Sequence, residues 1–307
     1  MQWVEDLAEY VKADAVVCLG DFFDKDTLTG EELTALNEVR WASMPHNFVV
    51  GNHEISAADL SISSQHVLAL GERFVVHDHP LSVQVGSKQL CFLPYQAEEN
   101  IKSLAEYFPE PLPRIVFSHN NIKGVQMGHF LSDVGLDLTD VTNNSWLFFN
   151  GHIHNAGCLA SHVWNVGNLT GQNFSEDAER YEHVVVVIDT ETGAVTPYRN
   201  PHALNFYKID CSNEPNIPIR LAQITQPNAV VSVRVREADR QQVQELLKVH
   251  INVLEYRVTV VPEVAAVADT RREEFSKVDY LAEFQSFIQE TLGATEDVVA
   301  ELKEICR

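Results

Sequence analysis

Four short polar motifs each follow directly on an apolar run, and together they contain the residue types from which metal sites are built. Each begins with a small residue; they are Gly20-Asp21-Phe22-Phe23-Asp24, Gly51-Asn52-His53-Glu54, Ser118-His119-Asn120-Asn121 and Gly151-His152-Ile153-His154. In α/β proteins, ligands gather beyond the carboxyl ends of the sheet strands. If each apolar run is a strand, the four motifs meet at one site.

The side chains of these motifs suit a divalent metal ion. They offer carboxylate, amide-oxygen and imidazole ligands without thiolate, a set that favours manganese, iron or zinc over calcium. The Asp21 carboxylate can bridge two ions, and paired ions hold a hydroxide nucleophile while neutralising charge on a phosphoryl group. His53, beside Asn52, is placed to hydrogen-bond the phosphate or protonate the leaving oxygen. A lone His-x-His pair is weak, but four motifs in order are a specific signal.

Short apolar runs alternate with helical stretches from Asp14 to about Arg199, which predicts a layered α/β fold with a mixed sheet. The first helix is predicted at Trp3–Lys12, and Glu31–Ala42 forms another that begins with a capping box from Thr29 to Glu32. The predicted strands are Ala15–Leu19, Asn47–Val50, Arg73–Val76, Leu81–Val85, Gln89–Leu93, Ile115–Ser118, Trp146–Asn150 and Val184–Asp189.

The pattern changes after residue 200, which predicts three parts. Residues 1–200 form the domain that carries the motifs. Residues 201–262 form a small βαβ module with strands at Val230–Val235 and Tyr256–Val261 around a helix at Ala238–Lys248. Residues 263–307 form a charged linker followed by amphipathic helices, in which apolar positions recur at helical spacing between Lys277 and Ile305.

Composition limits the class of protein further. Five scattered cysteines form neither a metal nor a disulfide spacing, which suggests reduced thiols in the cytoplasm, and no apolar run is long enough to span a membrane. The net charge of −22 argues against a chain that holds DNA through its own surface, since such surfaces are basic. Either nucleic acid is not the substrate, or metal ions and a partner supply positive charge.

The motif series resembles the calcineurin-like metallophosphoesterases, whose motifs read Asp-x-His, Gly-Asp-x-x-Asp, Gly-Asn-His-(Asp/Glu), Gly-His and Gly-His-x-His. Within them it is most similar to the nuclease subunits of SbcCD-type recombination complexes and their T-even phage counterparts. Leu93-Pro94-Tyr95, Asn165-Val166-Gly167-Asn168 and Asn173-Phe174-Ser175-Glu176 are similar to segments of that branch. The small module resembles its capping domain, and the final helices resemble its ATPase-binding tail.

This resemblance implies roles for the motif residues. Asp21 bridges two divalent ions, most readily Mn²⁺. Asn52, His119 and His152 complete the shell of one ion, and His154 binds the other. His53 is the catalytic histidine. The implied activity is metal-dependent exonuclease and endonuclease cleavage of DNA in recombination, repair or replication, with an SbcC-like ABC-type ATPase as partner and a homodimer as a further assembly.

The first motif of that family has no counterpart in this sequence. An Asp-x-His strand should precede the Trp3–Lys12 helix, so one ion has four ligands while the second has only Asp21 and His154. The expectation is that Met1 is an internal start and that upstream residues carry the motif. A truncated and impaired protein is the other explanation.

Two other functions remain open on the sequence. One is a phosphomonoesterase or cyclic-nucleotide phosphodiesterase of the same superfamily. The other is a non-catalytic subunit that only binds the ATPase, which the missing motif favours. Asp24 also has two interpretations, since its carboxylate could position His53 or cap the following helix.

Overall fold

Strands form at every position where the sequence predicts one, in the part of the chain that the structure describes. The structure is a computed structural model that describes residues 1–57, 62–110, 113–127, 130–176 and 178–261. Residues 1–261 belong to one compact unit. The predicted linker and amphipathic helices at 263–307 lie outside the described residues.

The motif-bearing part contains four α-helices and thirteen strands among the described residues. The helices are α1 (Gln2–Val11), α2 (Gly30–Glu38), α3 (Leu104–Tyr107) and α4 (Leu138–Asn144). The strands are β1 (Val16–Cys18), β2 (His46–Val49), β3 (Phe74–His77), β4 (Leu81–Val85), β5 (Lys88–Leu93), β6 (Arg114–Ser118), β7 (Gln126–Met127), β8 (Phe130–Leu131), β9 (Leu147–Asn150), β10 (Gly157–Ala160), β11 (Val163–Asn165), β12 (Val184–Ile188) and β13 (Val195–Arg199).

A six-stranded mixed sheet with the order β10-β11-β9-β6-β5-β4 lies at the centre of this part. Its four inner strands are parallel, and β4 and β10 pair antiparallel at its edges. One face packs against β1 and the β12–β13 hairpin through a core that includes Phe92, Phe117 and Phe149. The opposite face packs against α3 and α4. The predicted α/β mixed-sheet sandwich is therefore confirmed.

Strands β1, β2 and β3 form a separate parallel sheet. Strands β1 and β2 each end at a motif, as β6 and β9 of the larger sheet do. Four parallel strands from two sheets therefore lead to the four motifs. The loop after β1 is anchored by an aromatic cluster in which Phe22 packs against Phe23, Trp41 and Phe48. This cluster fixes the position of the Gly20–Asp24 motif from its apolar side.

Local signals set the helix starts but not every helix end. The capping box at Thr29 and Glu32 is present at the start of α2. The helix ends at Glu38, before the predicted Ala42, because the chain turns back to α1. There the buried Glu5 carboxylate accepts a hydrogen bond of 2.9 Å from the Ala42 amide and lies 2.9 Å from His46 Nε2.

Replacing Glu5 by alanine is expected to destabilise the fold by about 3 kcal/mol, because His46 and the Ala42 amide lose their buried partner. Burial raises the pKa of Glu5, but hydrogen bonds from His46 and Ala42 outweigh it and leave the pKa lowered. The stabilisation by Glu5 is therefore present above the unfolded pKa and is lost as pH falls through the folded one. Chemical unfolding at neutral and acidic pH measures both effects.

The control is Glu9→Ala in the same helix. Glu9 is exposed and pairs with Arg40 at 3.3 Å, so its loss should change the free energy of unfolding by less than about 1 kcal/mol. Equal destabilisation by the two substitutions would show that the buried Glu5 contacts contribute nothing beyond helix α1 itself.

The module after residue 200 contains one more strand than the sequence predicts. Strands β14 (Asn205–Asp210), β15 (Ala229–Arg236) and β16 (Val253–Val261) form a parallel sheet, with α5 (Ile217–Leu221) and α6 (Arg240–Lys248) packed on one face. The sequence prediction of a βαβ unit missed β14, because proline and asparagine around it suggested a boundary. Its alternating burial, with Tyr207 and Ile209 inward and Lys208 exposed, is that of a strand covered on one face.

Candidate metal centre

The His119 ring is the centre of the predicted site. The ring is fully buried, and its Nδ1 donates to the carbonyl oxygen of Leu19 at 2.7 Å. With the proton on Nδ1, the neutral ring directs a lone pair from Nε2. Asp21 Oδ2 at 3.1 Å, Asn52 Oδ1 at 3.2 Å and His152 Nδ1 at 3.0 Å surround that nitrogen. The four motifs thus converge on one point.

A divalent ion fits this arrangement of acceptor atoms. Oxygen and nitrogen ligands bind such ions at about 2.1 Å, which places neighbouring ligands about 3.0–3.4 Å apart. The separations around His119 Nε2 match this range. Among the described residues, Asp21, His119 and His152 also form a group whose ligand atoms all lie within 4.8 Å of one another. Without a cation, lone pairs crowded in this way would repel, so these residues fit a metal site.

The protonation states of the group also favour a metal ion. Burial is the largest cause that lowers the pKa of His152, to about 4, so its imidazole is neutral near pH 7. Hydrogen bonding favours the ionised form of Asp21, because its Oδ1 accepts the His53 backbone N–H at 3.1 Å. Neutral imidazole and ionised carboxylate are the metal-binding forms.

Glu54, the last residue of the second motif, ties two motif loops together. Its fully buried carboxylate accepts hydrogen bonds of 2.9 Å from the Gly51 and Phe23 amides and a bond from the Gln65 side chain. Burial raises the pKa of Glu54. No role for Glu54 is predicted from the sequence, although an acidic residue directly after the predicted ligand Asn52 and His53 is a signal for one.

His53 lies beside the group formed by Asp21, Asn52, His119 and His152, called the metal-binding group below, and remains open to solvent. Its side chain is 45% exposed, and Nδ1 lies 3.2 Å from Asp24 Oδ1. Of the two interpretations of Asp24, the contact with His53 is the one present. Helix α2 has Thr29 as its N-cap, so Asp24 does not cap it. With Nδ1 facing Asp24, Nε2 is available for a substrate oxygen.

His154, the predicted ligand of a second ion, does not join the group around His119. Its Nδ1 lies 3.4 Å from Oε1 of Glu176, whose carboxylate is nearly buried. The hydrogen bond to Glu176 raises the pKa of His154. A carboxylate behind one ring nitrogen orients the other towards a metal, as carboxylates behind metal-binding histidines do. Glu176 lies in one of the segments that carry the family resemblance, but no role for it is predicted from the sequence.

Three buried asparagines hold the strand ends that carry the histidines. The Asn120 backbone N–H donates to Asn150 Oδ1, and Asn150 Nδ2 donates to the Asn120 carbonyl, both at 3.0 Å. Asn150 Nδ2 also donates to Asn165 Oδ1, and Asn165 Nδ2 donates to the carbonyls of Ile153 and Asn155. This ladder fixes the loops of His119, His152 and His154 relative to one another. Asn150 ends a wholly buried strand, where a polar residue requires a partner.

Two segments of the resemblance lie against the same loops. The Tyr95 amide donates to the Val50 carbonyl at 2.9 Å, and its ring lies 6.0 Å from the His152 ring, centroid to centroid. Asn168 donates through its backbone to the His154 carbonyl and through its side chain to Glu176. Both segments therefore help to position histidines of the fourth motif.

The glycines of the motifs are needed mainly for space. A Cβ at Gly51 would lie 2.1 Å from Asp21 Oδ1, and one at Gly151 would lie 2.4 Å from the Leu19 carbonyl oxygen. Gly20 combines a φ of 97° with a Cβ position 2.2 Å from the His119 ring. Of the motif glycines, only Gly20 has a positive φ, so only there does the turn itself favour glycine.

Gly51→Ala is expected to weaken metal binding by about 10- to 100-fold, because its methyl group must displace the Asp21 carboxylate. Gly157→Ala is the matched control, since a Cβ there meets no atom within 4 Å. Titration of both variants with Mn²⁺ by calorimetry measures the difference. Equal affinities would show that Asp21 does not hold the ion.

The family match agrees with this geometry. The family model described as calcineurin-like phosphoesterase matches residues 1–188, which contain all four motifs. The chain belongs to the calcineurin-like phosphoesterase family. A comparison of the sequence with curated proteins found no match. As a calcineurin-like phosphoesterase, the chain is a metal-binding hydrolase of the superfamily that acts on phosphoesters.

Among the described residues of this calcineurin-like phosphoesterase, Asp21, His119 and His152 form one group of possible metal ligands, and His154 pairs with Glu176 outside that group. In these residues no helix has both the length and the apolar character needed to cross a membrane.

Proposed function

We propose that this calcineurin-like phosphoesterase is the nuclease subunit of an SbcCD-type recombination complex and cleaves DNA. The observation that carries the proposal is a metal-binding group that is open to solvent. Asp21 is 22% exposed, and the side chains of His53 and His154 are 45% and 38% exposed. Enzymes that select small substrates usually enclose them in a concave pocket. An open site at strand ends accommodates a long phosphodiester.

The motif residues have different roles in the proposed cleavage of a phosphodiester. Asp21, Asn52, His119 and His152 would hold an ion, for which we propose Mn²⁺, and Asp21 with His154 would hold a second. Divalent ions supply Lewis acidity towards a phosphoryl oxygen. His53 donates a proton from Nε2 to the departing oxygen, while Asp24 holds Nδ1 and stabilises the charged ring. Glu54 and the asparagine ladder keep the ligands in place.

Comparison of substrates tests the proposal. The full chain, with Mn²⁺, is incubated with linear duplex DNA, single-stranded DNA and p-nitrophenyl phosphate. We expect turnover of DNA to exceed turnover of the aryl phosphate. The opposite ranking would favour a phosphomonoesterase of the same family. Metal binding without any hydrolysis would favour a non-catalytic subunit.

The partners follow from the same proposal. We propose an SbcC-like ATPase bound through residues 277–305, which fall outside the described residues, in the cytoplasm of the cell in which the chain is made. Homodimerisation is a further proposal. Co-purification of the ATPase with the full chain, and its loss after deletion beyond Glu274, tests the contact. Full-strength binding by the shortened chain would place the contact elsewhere.

A further inference from the structure

The open face of the β14–β15–β16 sheet differs in charge from the rest of the chain. The chain carries 22 basic and 44 acidic residues. One face of this sheet packs on α5 and α6, while the other presents the side chains that alternate with the buried ones. Three neighbouring cross-strand rows of that open face hold three cations, Lys208, Arg234 and Arg257, and two carboxylates, Asp210 and Glu255.

Two of these cations have no acidic partner in the described residues and share one row. Lys208 pairs in register with Ser232, and Ser232 pairs with Arg257. Strands lie about 4.8 Å apart, so the two cations stand about 10 Å apart across the row. The next cation, Arg234, differs because Asp210 lies 3.5 Å from it. Lys208 and Arg257 therefore keep their charge for an external anion.

The Arg257 guanidinium is held in a fixed orientation. Its Nε donates to Ser232 Oγ at 2.8 Å, and the group lies 4.4 Å from the centroid of the Phe174 ring. Phe174 in turn packs edge-on against Phe206 at 5.0 Å. The two terminal nitrogens of Arg257 have no hydrogen-bond partner among the described residues. A stacked guanidinium with free donors is suited to binding phosphate.

The row is connected to the metal centre through a short segment. Phe174 lies two residues before Glu176, which holds His154. Gly171 lies close to both Phe206 and Glu176, since a Cβ there would be 2.7 Å from the Phe206 ring and 3.1 Å from the Glu176 carboxylate. Arg257 is therefore anchored to the same loop that orients His154, a proposed metal ligand.

We propose that Lys208 and Arg257 form a phosphate-binding subsite for the backbone of a nucleic-acid strand that extends from the metal centre. The subsite recognises charge and not sequence, because the row offers no group that reads bases. It rests on the proposed nuclease function, and it lies outside the residues matched by the family model. It also gives an acidic chain a local basic surface for a polyanion.

Binding measured without hydrolysis tests the subsite separately from the nuclease function. Fluorescence anisotropy follows a labelled thymidine oligonucleotide of about 20 nucleotides, added to the full chain in EDTA. The double variant Lys208→Ala/Arg257→Ala is expected to bind about tenfold more weakly. Its slope of log affinity against log salt should be smaller by about 1.4, for two lost phosphate contacts on a single strand.

The matched control is Arg234→Ala/Arg236→Ala, which removes the same charge from the same face. Both arginines have acidic partners, Asp210 and Asp239, so affinity should remain near that of the wild type. Arg257→Lys keeps the charge but not the planar stacking group, and it should lose part of the affinity. Circular dichroism establishes that each variant is folded.

The outcomes separate the two proposals. Unchanged affinity in the Lys208/Arg257 variant, an equal loss in the control variant, or no binding by the wild type would each overturn the subsite. Hydrolysis of bis-p-nitrophenyl phosphate should be unchanged in the Arg234/Arg236 control variant, because neither arginine belongs to the metal-binding group or to the proposed subsite. If the wild type binds DNA through the row but does not cleave it with Mn²⁺, the subsite stands and the nuclease function fails.

Discussion

Replacing His119 by alanine is expected to lower metal affinity by more than about 100-fold and to remove phosphoester hydrolysis. The reason is its central position, since its Nε2 lies within 3.2 Å of atoms from Asp21, Asn52 and His152. Metal analysis after dialysis should find about one ion per wild-type chain, because a second ion has only Asp21 and His154. The variant should retain none.

Two further variants keep this test interpretable. Asp21→Asn preserves the shape of the side chain but removes its charge, so it should lose the ion even if His119→Ala misfolds. His79→Ala is the control, because His79 is an exposed histidine that pairs with Asp78 away from the group. Retention of the ion by His119→Ala and Asp21→Asn at wild-type affinity would contradict the assignment of the centre.

Replacing His53 by alanine is expected to lower kcat by about 10²- to 10⁴-fold while the metal content and the folded state stay unchanged. Only the His53 backbone N–H contacts the metal-binding group, through Asp21, and that bond survives the substitution. Its imidazole is exposed and faces Asp24 instead. Steady-state hydrolysis of bis-p-nitrophenyl phosphate, with metal analysis of the same sample, measures both quantities.

Asp24→Asn provides a graded comparison with His53→Ala. Asp24 acts only through His53, so its loss should reduce kcat less than loss of the histidine and should have no further effect in the double variant. A His53→Ala protein that releases its metal would show that the ring is a ligand. A wild-type rate in His53→Ala would show that proton donation comes from another group.

The acidic composition and a nucleic-acid substrate are compatible if positive charge is local. A net charge of −22 is a property of the whole chain, whereas a phosphate backbone meets only the groups near its path. Bound divalent ions would neutralise Asp21 at the centre. Lys208 and Arg257 would extend that surface along the adjoining sheet. The net charge alone therefore does not exclude DNA.

The sequence alone determined the positions of the four motifs and of the strands that they follow. Apolar runs such as Ile115–Ser118 and Trp146–Asn150 form buried strands because their side chains pack into a hydrophobic core on each face of the sheet. The capping box of α2 is equally local, since Thr29 and Glu32 bond to each other's backbone. Such features depend on neighbours in the chain, so a sequence pattern contains them.

Only the tertiary structure decided which polar residues support the site and which of the predicted ligands meet. His119 bonds to the carbonyl of Leu19, a hundred residues away in the chain, and Glu54 reaches back to Phe23. Such contacts depend on how the strands are arranged next to one another in the sheets. The same holds for Gly51, whose missing Cβ leaves room for Asp21. Strand β14 escaped prediction because proline and asparagine lie around it, while its register with β15 secures it.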